Sequence, residues 1–129
     1  MSSKQRLIGW IGLVLLVSGC VTTRIVNLTP YQVSRTPDGL YLFEARWKSN
    51  LRTIIPGSMK AYVVIGTNFF AMHRVPGTTD RWEATVPLSP TNRFVHYWYK
   101  FTYLYKAIPE PKPDSTCTPT YTLEILPSP

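Results

Sequence analysis

The sequence predicts an all-β domain, a small antiparallel β-sandwich of about seven strands, and three observations carry that expectation. Apolar and polar residues alternate with a period of two in several short segments, and turns bearing proline or glycine separate them. Twelve prolines and 13% aromatic residues in a chain of 129 suit pleated strands and loops and disfavour long helices. Beyond the first twenty residues, no segment carries the 3.6-residue apolar period of an amphipathic helix. The length leaves room for one domain with a single core. A small open barrel is the competing architecture.

The first strand region runs from Ile25 to Ser34, with Ile25, Val26, Leu28, Tyr31 and Val33 apolar and Pro30 interrupting. A proline there predicts an edge strand, or a strand that passes from one sheet to another. Thr36-Pro37-Asp38-Gly39 is a turn, with proline presetting its φ and glycine accepting a positive one. From Leu40 to Lys48, Tyr41, Phe43, Ala45 and Trp47 alternate with Leu42, Glu44, Arg46 and Lys48, so the first set faces the core.

After a loop over residues 49–57, Met59 to Ile65 forms the next strand, and Gly66-Thr67-Asn68 turns the chain into Phe69 to Val75. Apolar residues on both faces of that last segment leave its inward face undecided. Pro76 to Asp80 makes another turn, after which Trp82, Ala84, Val86 and Leu88 alternate with Arg81, Glu83 and Thr85. The longest strand, Arg93 to Tyr105, puts Val95, Tyr97, Tyr99, Phe101 and Tyr103 on one face and His96, Trp98, Lys100, Thr102 and Leu104 on the other. The prolines of residues 109–114 lack donors, which predicts an exposed connection outside any ladder. Thr118 to Leu126 closes the fold, with Tyr121, Leu123 and Ile125 inward.

The N-terminus has a different character. Met1 to Arg6 is polar and positively charged, and Leu7 to Val17 is an apolar run. Roughly a dozen apolar residues suit the central region of a signal peptide and fall short of the about 20 needed to span a bilayer. Leu16-Val17-Ser18-Gly19-Cys20 follows, and this stretch resembles the lipobox of bacterial lipoproteins. The resemblance implies a diacylglycerol thioether on Cys20, with cleavage before it. Residues 1–19 would then be a helical signal peptide, 20–23 a lipidated tether and 24–129 the β-sandwich domain. It also implies residence in the bacterial cell envelope and, because Val21 rather than an aspartate follows the cysteine, the periplasm-facing outer membrane of a Gram-negative source.

A second resemblance covers about a quarter of the chain. Met72-His73-Arg74-Val75, Trp82-Glu83-Ala84-Thr85-Val86-Pro87 and Tyr97-Trp98-Tyr99-Lys100-Phe101 are similar to the central hairpins of early-set immunoglobulin-like domains, and most of all to glycogen-binding-type carbohydrate modules. Most of these are scaffold positions in that family, so the resemblance implies an immunoglobulin-like fold before it implies a sugar.

Charge and chemistry then bound the function. The formal charge is +7; with Lys4 and Arg6 set aside, about +5 remains on the rest of the chain, spread without the basic run that marks a nucleic-acid tail. With Cys20 lipidated, Cys117 has no intramolecular partner. His73 and His96 show no metal-ligand spacing, and Glu44 and Glu83, the two acids central in strands, are expected to face solvent. No cofactor motif is present, and an enzyme is not expected unless the fold gathers Glu44, Glu83 and a histidine around one cleft. The expected function is therefore non-catalytic: a membrane-tethered domain that binds an envelope protein or organises an assembly, with Trp98, Lys100, Leu104 and Tyr62 as contact residues. The alternative is a carbohydrate-binding module that stacks a polysaccharide on Trp98, Tyr62 or Trp47.

Overall fold

A computed structural model describes residues 23–128. The expected signal helix and the lipidation site at Cys20 lie outside the described residues. The described chain is all-β, with nine strands: β1 (Thr23–Asn27), β2 (Gln32–Ser34), β3 (Leu40–Ser49), β4 (Lys60–Ile65), β5 (Asn68–Arg74), β6 (Arg81–Pro87), β7 (Phe94–Tyr105), β8 (Lys112–Cys117) and β9 (Tyr121–Leu126).

The strands form one curled sheet in the order β1-β3-β6-β5-β4-β7-β9-β2, with β8 also on β7. Its continuity rests on β5. The first part of that strand pairs with β4, from Ile65↔Asn68 to Ala61↔Met72, and His73 and Arg74 then pair with Glu83 and Trp82 of β6. The curl brings the inner face of β3 and β6 onto that of β7. Trp47 stacks on Phe101 with ring centroids 5.2 Å apart, Phe43 meets Tyr97 edge-on at 4.9 Å, and Trp82 meets Phe101 edge-on at 5.9 Å. The result is a β-sandwich-like module.

Period-two patterning accounts for the core. Tyr41, Phe43 and Ala45 of β3, Trp82, Ala84 and Val86 of β6, and Val95, Tyr97, Tyr99, Phe101 and Tyr103 of β7 are all buried, as are Leu123 and Ile125 of β9. Each alternation places one row inward and leaves the intervening row outside. Gly39 at φ 72° and Gly77 at φ 81° close their turns in the left-handed region, as their position after Pro-Asp and Pro predicts. Gly66, at φ 62°, is the first central residue of the two-residue hairpin between Ile65 and Asn68, where glycine suits a type II′ turn.

Three expectations need correction. The strands number nine rather than about seven, because Pro30 splits the first region into β1, on β3, and β2, on β9, and because β8 forms on β7. The sheet is mixed rather than purely antiparallel, since β2 runs parallel to β9. Residues 112–114 do join a ladder, as the start of β8, with Pro113 opposite Leu104. An edge strand tolerates proline because only one of its sides meets a neighbour.

The passage from β1 to β2 is pinned by a buried polar knot. The Tyr99 hydroxyl lies 2.7 Å from Thr29 Oγ1, 2.8 Å from Asn27 Oδ1 and 2.9 Å from the Glu44 carbonyl oxygen. Asn27 Nδ2 donates to the Tyr97 hydroxyl at 2.9 Å. The Glu44 amide donates to Thr29 Oγ1 at 2.9 Å. Every polar group carried inward by this crossing thus meets a partner, the condition for burying it at low cost.

Candidate functional site

The site is built on the outer face of β4, β5, β7 and β8. Because the Tyr97, Tyr99 and Phe101 row faces inward, Trp98, Lys100, Thr102 and Leu104 point out. The pairing then sets their neighbours: Val64 lies opposite Trp98, Tyr62 opposite Lys100 and Lys60 opposite Thr102. On the other side of β7, Cys117 lies opposite Lys100, Ser115 opposite Thr102 and Pro113 opposite Leu104.

Phe69, which β5 places beside Val64, organises this face. Its ring centroid lies 6.0 Å from those of Tyr62 and Trp98, at interplanar angles of 74° and 81°, and Lys100 Nζ sits 5.9 Å from it. These edge-to-face contacts suit the ring quadrupoles, and the ammonium above a ring is a cation–π arrangement. Val64, on the outside of the sheet, is nonetheless only 1% exposed, while Phe69 itself remains 53% exposed. An outer sheet face is ordinarily polar, so a half-exposed aromatic cluster is the informative departure.

A shallow groove of about 680 Å³ continues from the cluster, with Ser58, Lys60, Lys100, Leu104, Asp114 and Ser115 among its walls. Its floor is held by hydrogen bonds from the Leu104 amide to Ser58 Oγ at 3.1 Å and from Ser58 Oγ to the Ile55 carbonyl at 2.6 Å. The structure therefore places Trp98, Lys100, Leu104 and Tyr62 on one face. Tyr62, Trp98 and Lys100 gather around Phe69, and Leu104 stands further along the groove, 40% exposed.

Other sequence candidates are placed differently. Trp47 is an inner-face residue, stacked on Phe101 and edge-on to Tyr103 at 5.5 Å, so it offers no platform to a sugar. Cys117 is free and exposed. His96 faces out, with Nδ1 2.9 Å from Thr122 Oγ1.

Glu44, Glu83 and His73 do come together, because Glu44 lies opposite Glu83 and Glu83 opposite His73. They form a row on the outer face of β3, β6 and β5. Arg81 Nη2 donates to Glu44 Oε2 at 2.6 Å, and His73 Nε2 lies 3.3 Å from Glu83 Oε1. Both carboxylates are engaged, and neither they nor His73 line the groove beside Phe69 or the smaller one around Gly39 and Pro90. Among the described residues, no group of three or more His, Cys, Asp or Glu side chains is arranged to hold a metal ion.

Phe69 is the residue that sequence reasoning missed. The run Phe69-Phe70-Ala71-Met72 is apolar on both faces, so alternation could not say which ring pointed out; pairing with β4 decides it. Comparison with known protein families, with curated proteins and with solved structures returns no match.

Proposed function

We propose that this chain is a lipid-anchored, non-catalytic cell-envelope lipoprotein, tethered through Cys20, whose immunoglobulin-like β-sandwich binds an envelope protein or helps to build an envelope assembly. The carrying observation is the Tyr62–Phe69–Trp98 cluster, capped by Lys100, on the outer face of the sheet. Rigid aromatic side chains bury a large area for little lost entropy, and interfaces concentrate their binding energy in such anchors ringed by polar groups. Lys60 and Lys100 provide the polar surround, and Leu104 a second apolar contact along the groove. The lipobox resemblance of Leu16 to Cys20 supports the anchor and, with Val21, residence at the periplasmic face of an outer membrane in a Gram-negative source. A nucleic acid is not a partner in this reading.

Chemical crosslinking in cells followed by purification tests the surface. The wild-type chain should recover a reproducible envelope protein, and Phe69→Ala or Trp98→Ala should lose it while keeping the wild-type circular dichroism spectrum. Recovery of the same protein by both variants would overturn the reading. Retention on an insoluble polysaccharide, lost in Trp98→Ala, would instead favour the carbohydrate-module alternative.

A further inference from the structure

The charge of the domain is segregated along the strand axis, although the sequence shows no basic run. β1 begins at one end of the molecule, with Thr23 opposite Ser49. The pairing registers bring the loop over residues 50–59, the turn over 75–80 and the loop over 106–111 to that same end. Arg24, Lys48, Arg52, Lys60, Lys106 and Lys112 all lie there, all exposed. None of them forms an ion pair among the described residues. Arg46 and Asp80, also near this end, are 3.6 Å apart and offset one another; the remaining acids are Glu110 and Asp114.

At the opposite end, Arg35 and Arg93 face Asp38 and Glu124 in equal number. Arg93 approaches Glu124 at 3.9 Å, and Arg35 donates to the carbonyls of Pro90 and Asn92. That end is neutral and its cations are occupied, while the Thr23 end carries the excess. The tip of the 106–111 loop adds Ile108, 93% exposed, between Lys106 and Lys112. An apolar tip flanked by unpaired lysines is the chemistry of insertion at an anionic lipid interface.

We propose that the Thr23 end of the domain, led by Ile108 and its flanking lysines, rests on an anionic bilayer surface and so sets the orientation in which the domain is held. The inference rests on the anchor reading at Cys20 and goes beyond it by fixing which end faces lipid. Two residues, Val21 and Thr22, separate Cys20 from Thr23, so the three steps between them reach about 10 Å at full extension. That is close to the Debye length of about 8–10 Å at physiological salt, so these cations lie within range of lipid charge. The far end stands roughly 40 Å away along β7, well beyond it. Docked this way, the outer face bearing Phe69 stands alongside the bilayer normal and stays open to a partner.

The test uses the full chain, purified from bacterial membranes and reconstituted in vesicles of equimolar phosphatidylglycerol and phosphatidylcholine. In a Cys117→Ser background, a nitroxide is attached at Ile108→Cys or, at the far end, at Thr67→Cys. The label at position 108 should become accessible to membrane-dissolved oxygen and protected from a water-soluble nickel complex, and the label at 67 should stay open to nickel. Each removed cation weakens attraction to the surface about fivefold, so Lys106→Gln with Lys112→Gln should lower the docked-to-undocked ratio by roughly 25-fold. Pure phosphatidylcholine or high salt should also release the tip.

A label at 108 that stays nickel-accessible on anionic vesicles, or a label at 67 that becomes the protected one, overturns the proposal. Protection of 108 by polygalacturonate but not by the vesicles overturns it in favour of an acidic polysaccharide. Failure of the anchor is separately visible: in Cys117→Ser without an added cysteine, labelling of Cys20 shows that its thiol is free, and the protein would no longer float with vesicles in high salt.

Discussion

At the scale of single residues, Tyr99 shows how one hydroxyl fixes a chain crossing. Burial pushes the ionisation of Tyr99, and to a lesser degree that of Tyr97, above the usual tyrosine value, against hydrogen bonds from Thr29 and Asn27 that favour the charged form. A group whose folded pKa is raised contributes stability that is complete below the unfolded value of 10.0 and is lost as pH rises beyond it, because the unfolded chain ionises first. Urea midpoints should therefore fall between about pH 8 and about pH 11, and fall less in Tyr99→Phe. At neutral pH that variant should lose about 1–3 kcal/mol, since Thr29 and the Glu44 carbonyl keep their buried positions with one partner fewer. A midpoint unchanged at neutral pH would show that the hydroxyl does not hold the β1–β2 crossing.

At the scale of elements, β5 and β7 present two phenylalanines with opposite duties. Phe101 is fully buried between Trp47 and Trp82; Phe69 is 53% exposed and lies beside the buried Val64 across the β4–β5 ladder. Burial of half a ring is worth roughly 1 kcal/mol, so Phe69→Ala should lower the denaturation midpoint only slightly and leave the spectrum intact. A loss as large as that from a core phenylalanine would mean that the outer cluster serves the fold.

The same elements show what was legible in the sequence. β3, β6 and β7 bury one face each, so period two exposed their inner rows and put Trp98, Lys100 and Leu104 together on the outside. β5 was opaque because its two ends serve different parts of the sheet and its residues are apolar on both sides. β8 was hidden by Pro111 and Pro113, which argue against a ladder only where both strand edges must be paired. β2 has three residues, and its parallel place beside β9 is marked by backbone bonds, Arg35 N to Leu126 O and Glu124 N to Tyr31 O, each about 3 Å long, which leave no pattern in side chains. The candidate face was thus half visible: the members on β7 follow from alternation, while Phe69 reaches them only through pairing across β4.

At the scale of the whole molecule, the question is whether a sheet curled on itself behaves as one unit or two. The parts are joined along the backbone by β5, through its successive ladders with β4 and β6, and at the far end by the residues that pass from β1 to β2 around Thr29. Neither link is long, so cooperation must come from the packed interior. Phe101 sits at its centre: Trp47 of β3 stacks on it at 5.2 Å and Trp82 of β6 meets it at 5.9 Å. Phe101→Ala should cost about 3–5 kcal/mol, a large share of the about 5–15 kcal/mol that holds a domain of this size. Because both rings that contact Phe101 belong to the opposite inner face, the loss should fall on the two parts together. Unfolding followed by tryptophan fluorescence and by far-ultraviolet circular dichroism should then give one shared midpoint, lowered equally in both signals. Hydrogen exchange should accelerate in β3 and β6 as much as in β4 and β7. If exchange quickened only around β4 and β7 while β3 and β6 kept their protection, the inner-face aromatic contacts would not be what unites the sheet, and the short links through β5 and Thr29 would have to carry it.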